Sequence, residues 1–111
     1  IEPTEAMTVI DVNSGKNESK KIGEETYYQV NAEAAEEIAR QLRLRNLSGI
    51  IIIDFINMAE RENRQKLLDY LKTLTAQDPQ HPRIVDMTPL GLVEITRKKS
   101  HPTLAEQWKK I

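Results

Sequence analysis

The sequence has no cysteine, only 5 % aromatic residues and no long apolar run. The absence of cysteine excludes disulfides and thiolate metal sites. The longest apolar run, Ile50–Ile53, is far shorter than the roughly 20 residues that cross a bilayer. The polar, acidic start over residues 1–5 is unlike a signal peptide. We therefore expect a cytoplasmic protein without a transmembrane segment.

Several binding and catalytic motifs are also missing. The sequence contains neither a phosphate-binding glycine loop nor a nucleophile-elbow motif. His81 and His101 lack the spacing of zinc ligands, so we expect no zinc site in this chain. The formal net charge of −1 gives no support to nucleic-acid binding at the level of the whole chain.

The 111 residues, of which 39 % are hydrophobic, fit a single domain over 1–111 with a real core. Runs rich in β-branched and aromatic residues predict five strands, over 7–12, 26–30, 50–55, 83–87 and 92–97. Helical spacing of apolar residues predicts two helices between them. The predicted fold class is α/β, in the order β-β-α-β-α-β-β, with a mixed sheet flanked by helices.

The helix boundaries are predicted from capping residues. Asn31 fits the N-cap of the first helix, which should end near Leu44. Asn57 and Glu60 fit a capping box at the start of the second helix. Its buried stripe is predicted to be Leu67, Leu68, Leu71 and Leu74. The tail 102–110 fits a short amphipathic helix. The strand 50–55, in contrast, is apolar throughout, which is typical of a strand covered on both faces.

Two aspartates, Asp11 and Asp54, end apolar strands and are the candidate catalytic and metal-binding residues. Ligand sites in open α/β sheets lie at the carboxyl ends of strands, and Mg²⁺ is typically held by one or two carboxylates. Asn13 follows Asp11 by two residues and can address the same side of the strand. The alternative is that all three are ordinary turn or cap residues.

Basic residues cluster in two places, at Arg40, Arg43 and Arg45 and again over Arg97–Lys99. Contact with phosphates is one interpretation. A solvated helix face is the simpler explanation of the first cluster, because its arginines alternate with leucines.

Four segments, over 8–15, 31–49, 50–58 and 91–99, together resemble the ribonuclease E/G family. The similarity is to its catalytic subdomain, of RNase H-like or DNase I-like fold, and spans about residues 6–104. The resemblance implies a Mg²⁺-dependent endoribonuclease that cleaves single-stranded RNA, with Mn²⁺ as a substitute metal and no DNA substrate. It places the metal on Asp11 and Asp54, gives Asn13 a supporting role, and raises Arg40, Arg43 and Arg97 as RNA contacts.

The chain departs from the family pattern at Asn57, where the family commonly has a second acid. It also contains neither the oligonucleotide-binding barrel nor the zinc link of the family, whose members are expected to be homo-oligomers. We therefore expect a piece of the catalytic region that is inactive or weakly active alone. A non-catalytic RNA-binding or scaffold module is the alternative. A phosphotransfer or nucleotide-binding domain that uses Asp54 is disfavoured by the missing phosphate loop.

Overall fold

Strands and helices alternate along the described chain until its last two elements, which are both strands. The computed structural model describes residues 7–12 and 23–99. Its elements are β1 (Met7–Asp11), α1 (Glu24–Leu44), β2 (Gly49–Asp54), α2 (Arg61–Thr75), β3 (Arg83–Val85) and β4 (Leu92–Arg97). Within these ranges, neither helix is both long and apolar enough to cross a membrane.

The strands form one mixed four-stranded sheet in the order β1-β2-β4-β3. β1 and β2 are parallel, and β4 is antiparallel to both of its neighbours, β2 and β3. Parallel neighbours need a crossover connection, and α1 lies in the stretch that joins β1 to β2. We call the side of the sheet where β1 and β2 end the carboxyl edge, and the side where β2 begins the amino edge.

Both helices pack on one face of the sheet. Alternate residues of β2, including Ile51 and Ile53, point into this layer, as the period of two in a strand requires. α1 and α2 contribute residues at helical spacing. The buried cluster consists of Ala35, Ile38, Leu42, Ile51, Ile53, Phe55, Met58, Leu67, Leu68, Leu71, Val93 and Ile95.

The opposite face of the sheet is covered by no element in the described part of the chain. Met7 and Val9 on this face are 64 % and 65 % exposed, and their register partners Ile50 and Ile52 are only half-buried. The expectation that helices cover β2 on both faces is therefore not met within 7–12 and 23–99. The reason is that α1 and α2 pack side by side against the same face of the sheet.

The prediction of a strand over 26–30 is wrong. This segment belongs to α1, which begins at Glu24 with Gly23 at its N-cap. Tyr27 and Tyr28 pack against the core from the helix. Packing of these two tyrosines from the helix overrides their strand preference, which depends strongly on context. The described order is β-α-β-α-β-β.

The two predicted caps are also wrong. Asn31 lies inside α1 and is fully buried. α2 begins at Arg61 with Glu60 at its N-cap and has no side-chain capping hydrogen bond, so Asn57 lies in the extended segment before the helix. Asn31 instead hydrogen-bonds to the backbone of Ile56, a contact between distant parts of the chain that the local sequence pattern does not indicate.

Other boundaries agree with the predictions. α1 ends at Leu44, β4 spans Leu92–Arg97, and the leucines of α2 face the core. β3 is shorter than predicted and ends at Val85. The predicted helix over 102–110 lies outside the described residues.

Candidate functional site

Asp11 and Asp54 are register partners at the carboxyl edge of the sheet. β1 and β2 pair in parallel from Met7 opposite Ile50 to Asp11 opposite Asp54. Paired residues of adjacent strands project from the same face, with Cα atoms of neighbouring strands about 4.8 Å apart. Both carboxylates therefore lie side by side on the face that the helices leave open. The sequence predicted that Asp11 and Asp54 lie close together, because each of them ends an apolar strand.

The surroundings of the two carboxylates suit a hydrated cation. Asp11 is exposed and Asp54 is half-buried, so water reaches both. Like charges directly opposite each other in a sheet repel, and a divalent cation between them removes that repulsion. Oxygen ligands are what Mg²⁺ prefers. In the described ranges, no cluster of three or more acidic, histidine or cysteine side chains is placed to hold a metal.

The backbone at this edge is held in place by hydrogen bonds. The N–H of Val12, directly after β1, donates to the carbonyl oxygen of Asp54 at 3.0 Å. This bond continues the β1–β2 pairing past the last strand residue and fixes the two strand ends relative to each other. Asn13, the third predicted site residue, lies outside the described residues.

The segment that follows Asp54 is held from three directions. The N–H of Phe55 donates to the carbonyl oxygen of Gly91 at 3.0 Å. Asn31 exchanges two hydrogen bonds with the backbone of Ile56. Arg64 donates from Nη1 to the carbonyl oxygens of residues 58 and 59, at 2.8 and 2.9 Å. Asn57, in the middle of this segment, is exposed to solvent.

The three arginines predicted to contact RNA lie away from this edge. Arg97 is the register partner of Gly49, the first residue of β2, and so lies at the amino edge. Arg40 and Arg43 occupy the last turns of α1, which leads into that same edge. β2 is about 17 Å long at 3.3 Å per residue. The structure therefore does not bring these arginines next to Asp11 and Asp54.

Arg97 in addition is buried and fully engaged. Only 4 % of the residue is exposed, and its guanidinium forms a two-pronged ion pair with Asp78. Its Nη1 also donates to the Oδ1 of Asn46 and the carbonyl oxygen of Leu47, at 3.0 and 2.9 Å. We therefore assign Arg97 a structural role and do not retain it as an RNA contact. Arg40 is exposed and pairs with Glu37 on its own helix.

A basic cleft near the carboxyl edge was missed by the sequence reasoning. It has a volume of about 260 Å³ and lies between the start of α2 and the segment after β3. Arg61, Arg64 and Gln65 line one side, and Asp86 lines the other. β3 runs in the same direction as β2, so both segments lie at the same edge as Asp54. Arg61 and Arg64 lie in α2, for which the sequence pattern indicates only a buried leucine stripe. Nothing in the local sequence indicates a cleft.

The family model that matches the chain is that of the ribonuclease E/G family, over residues 1–100. Among curated relatives, ribonuclease E of Synechocystis sp. is 50 % identical over 106 residues, and ribonuclease E of Nostoc sp. is 48 % identical over 106. Ribonuclease G of Salmonella typhimurium is 44 % identical over 104 residues. The chain belongs to the ribonuclease E/G family.

The match covers nearly all of this chain and a small part of its relatives. It includes 96 % of the chain with the two ribonuclease E sequences and 94 % with the ribonuclease G sequence. The chain spans only 15 % and 16 % of those ribonucleases E and 21 % of that ribonuclease G. The segment shared with these relatives is therefore about a sixth to a fifth of each of them.

Proposed function

We propose that this chain is the metal-binding part of an endoribonuclease catalytic region, with a subdomain of RNase H-like or DNase I-like type. The observation that carries the proposal is the register pairing of Asp11 with Asp54 at the carboxyl edge of the sheet. Membership of the ribonuclease E/G family supports RNA as the substrate. The proposed substrate is single-stranded RNA, and the proposed metal is Mg²⁺, replaceable by Mn²⁺.

Each residue of the site has a proposed task. Asp54, at the end of a central strand, holds the cation in a fixed place, and Asp11 completes the pair from the neighbouring strand. Asn13 would add a neutral oxygen ligand or contact the scissile phosphate. The chemistry that Mg²⁺ supplies when bound is activation of water and neutralisation of charge on the phosphodiester.

Arg61 and Arg64 line a cleft at the same edge of the sheet, on the face that the helices cover, where they would contact the RNA backbone. Phosphate contacts from arginine position an RNA strand without reading its sequence. Arg40 and Arg43 stay a separate prediction: from the amino edge they would contact a part of the RNA distant from Asp11 and Asp54. The whole protein is proposed to act as a homo-oligomer, and the piece alone to be inactive or weakly active.

A non-catalytic RNA-binding module is the second candidate, and Asn57 favours it. This exposed residue carries a neutral amide where the family commonly has an acid, which lowers the negative charge beside Asp54. A scaffold does not need a functional metal site. The affinity of the two aspartates for a cation therefore separates the candidates.

A titration with Mn²⁺ followed by NMR tests the proposal, because this paramagnetic ion broadens signals near its binding site. We expect saturable broadening centred on residues 11 and 54. Asp11→Asn and Asp54→Asn should each abolish it, and Asp69→Asn, on the exposed side of α2, serves as the matched control. Broadening that is absent, or that survives both site variants, would contradict the metal site and favour the non-catalytic module.

A further inference from the structure

Asn31 is a fully buried polar residue whose side chain bonds to a single distant backbone position. Its Nδ2 donates to the carbonyl oxygen of Ile56 at 2.9 Å, and its Oδ1 accepts the N–H of Ile56 at 2.9 Å. The side-chain amide thus uses one donor and one acceptor on one residue, as a neighbouring strand would. Ile56 lies two residues after Asp54 and one before Asn57.

This pairing completes a set of contacts around the end of β2. The carbonyl oxygen of Asp54 accepts the N–H of Val12, and the N–H of Phe55 donates to Gly91. Asn31 hydrogen-bonds to both the N–H and the carbonyl oxygen of Ile56. The backbone is therefore fixed at three consecutive residues, beginning with the one that carries the proposed metal ligand.

Packing alone does not account for an asparagine at this position. Its neighbours on the buried stripe of α1 are Ala35, Ile38 and Leu42, and all of them are apolar. Burying an amide costs free energy unless both of its polar groups are hydrogen-bonded. A leucine would fill similar space without that cost, but it would leave the N–H and carbonyl of Ile56 without these partners. Asparagine at this position therefore differs from leucine in that it holds the backbone of Ile56 in a fixed orientation.

We infer that Asn31 is a positioning residue for the metal site, acting through Ile56 to hold Asp54 and the exposed Asn57 in place. This inference rests on the proposed function. Residues that orient metal ligands without touching the metal typically change metal affinity by about 10- to 100-fold when they are replaced. α1 thereby contributes to the site through a side chain that never reaches the cation.

The test compares Asn31→Leu with Leu42→Ala by Mn²⁺ titration under conditions where both variants are folded. Leu42 is also fully buried on α1, but it lies near the amino edge, so its truncation destabilises the fold without touching Ile56. We expect Asn31→Leu to weaken Mn²⁺ binding at residues 11 and 54 by about tenfold or more. Leu42→Ala should bind as the wild type does. Faster hydrogen exchange of the Ile56 amide in Asn31→Leu would confirm that the contact is lost.

The outcomes separate the inference from the function on which it rests. If the wild type binds Mn²⁺ and folded Asn31→Leu binds it equally well, the inference alone is overturned. If the wild type itself does not bind at residues 11 and 54, the proposed function and the inference both fall. Should Asn31→Leu not fold, Asn31→Ser decides in the same assay, because its short hydroxyl side chain cannot span both polar groups of Ile56.

Discussion

Arg97 and Asp78 form an ion pair that is shielded from water on both sides. Nε of Arg97 donates to Oδ2 of Asp78 at 2.8 Å, Nη2 donates to Oδ1 at 3.1 Å, and the side chains are 3 % and 1 % exposed. With the bonds from Nη1 to residues 46 and 47, this guanidinium joins β4 to the turn after α1 and to the turn after α2. Arg97 belongs to the basic run 97–99 of the sequence, but its guanidinium stabilises the fold.

Replacing Arg97 with leucine should reduce the free energy of unfolding by about 3–5 kcal/mol, because it leaves the Asp78 carboxylate buried without its partner. The measurement is urea unfolding monitored by circular dichroism. Arg40→Leu is the control, since its ion pair with Glu37 is exposed and worth about 0–1 kcal/mol. A loss for Arg97→Leu no larger than that of the control would contradict the structural role.

The same pair predicts a pH dependence of stability. Burial by itself raises the pKa of Asp78, but the hydrogen bonds from Arg97 and from the N–H of Gln80 outweigh it, and the pKa is lowered overall. A lowered pKa in the folded state stabilises the protein above the unfolded pKa of about 3.9. That contribution is lost as the pH falls through the folded pKa. The difference in unfolding free energy between wild type and Asp78→Asn should therefore be constant above about pH 5 and shrink below pH 4. A difference independent of pH would contradict this assignment.

Asp11→Asn should not destabilise the protein in the absence of divalent cations. Removing one of two like charges in register relieves their repulsion, which is worth up to about 1 kcal/mol for a cross-strand pair. Added Mg²⁺ should stabilise the wild type and leave the variant unchanged. Thermal unfolding with and without Mg²⁺ measures both effects. Equal stabilisation of the two proteins by Mg²⁺ would place the cation elsewhere.

Gly91→Ala should destabilise the end of β2. Gly91 has a φ of +95°, and a Cβ there would lie 2.9 Å from the carbonyl oxygen of Phe55. Strain in this backbone region costs about 1–3 kcal/mol, and the close contact adds to it. Gly23→Ala is the control, because a Cβ at Gly23 meets nothing within 4 Å. Urea unfolding of both variants makes the comparison, and equal stabilities would show that the chain adapts at Gly91 without cost.

Arg61→Gln should weaken binding of a short single-stranded oligoribonucleotide more than Arg40→Gln does. Arg61 lines the basic cleft at the carboxyl edge, whereas Arg40 lies toward the amino edge and pairs with Glu37. Loss of one phosphate contact should also reduce the slope of log affinity against log salt by about 1. Fluorescence anisotropy in EDTA, at several salt concentrations, measures both. A larger loss in Arg40→Gln would support the prediction from the sequence and contradict the role of the cleft.

The sequence by itself determined the features that depend on local periodicity. Alternating or continuous apolar residues end at Asp11 and Asp54, so their place at strand ends follows from neighbours in the chain, and the structure pairs them in register. Stripes at helical spacing likewise placed α2 and the last two thirds of α1. The resemblance to the ribonuclease E/G family rests instead on the residues of four segments, over 8–15, 31–49, 50–58 and 91–99, and the family model confirms it.

Only the tertiary structure decided the roles of Asn31 and Arg97. Asn31 bonds to a residue 25 positions away, and Arg97 pairs with one 19 positions away. A local pattern therefore assigned them to a helix cap and a basic surface. Burial is what gives these polar groups their roles, because a buried amide or guanidinium must find partners wherever the fold supplies them.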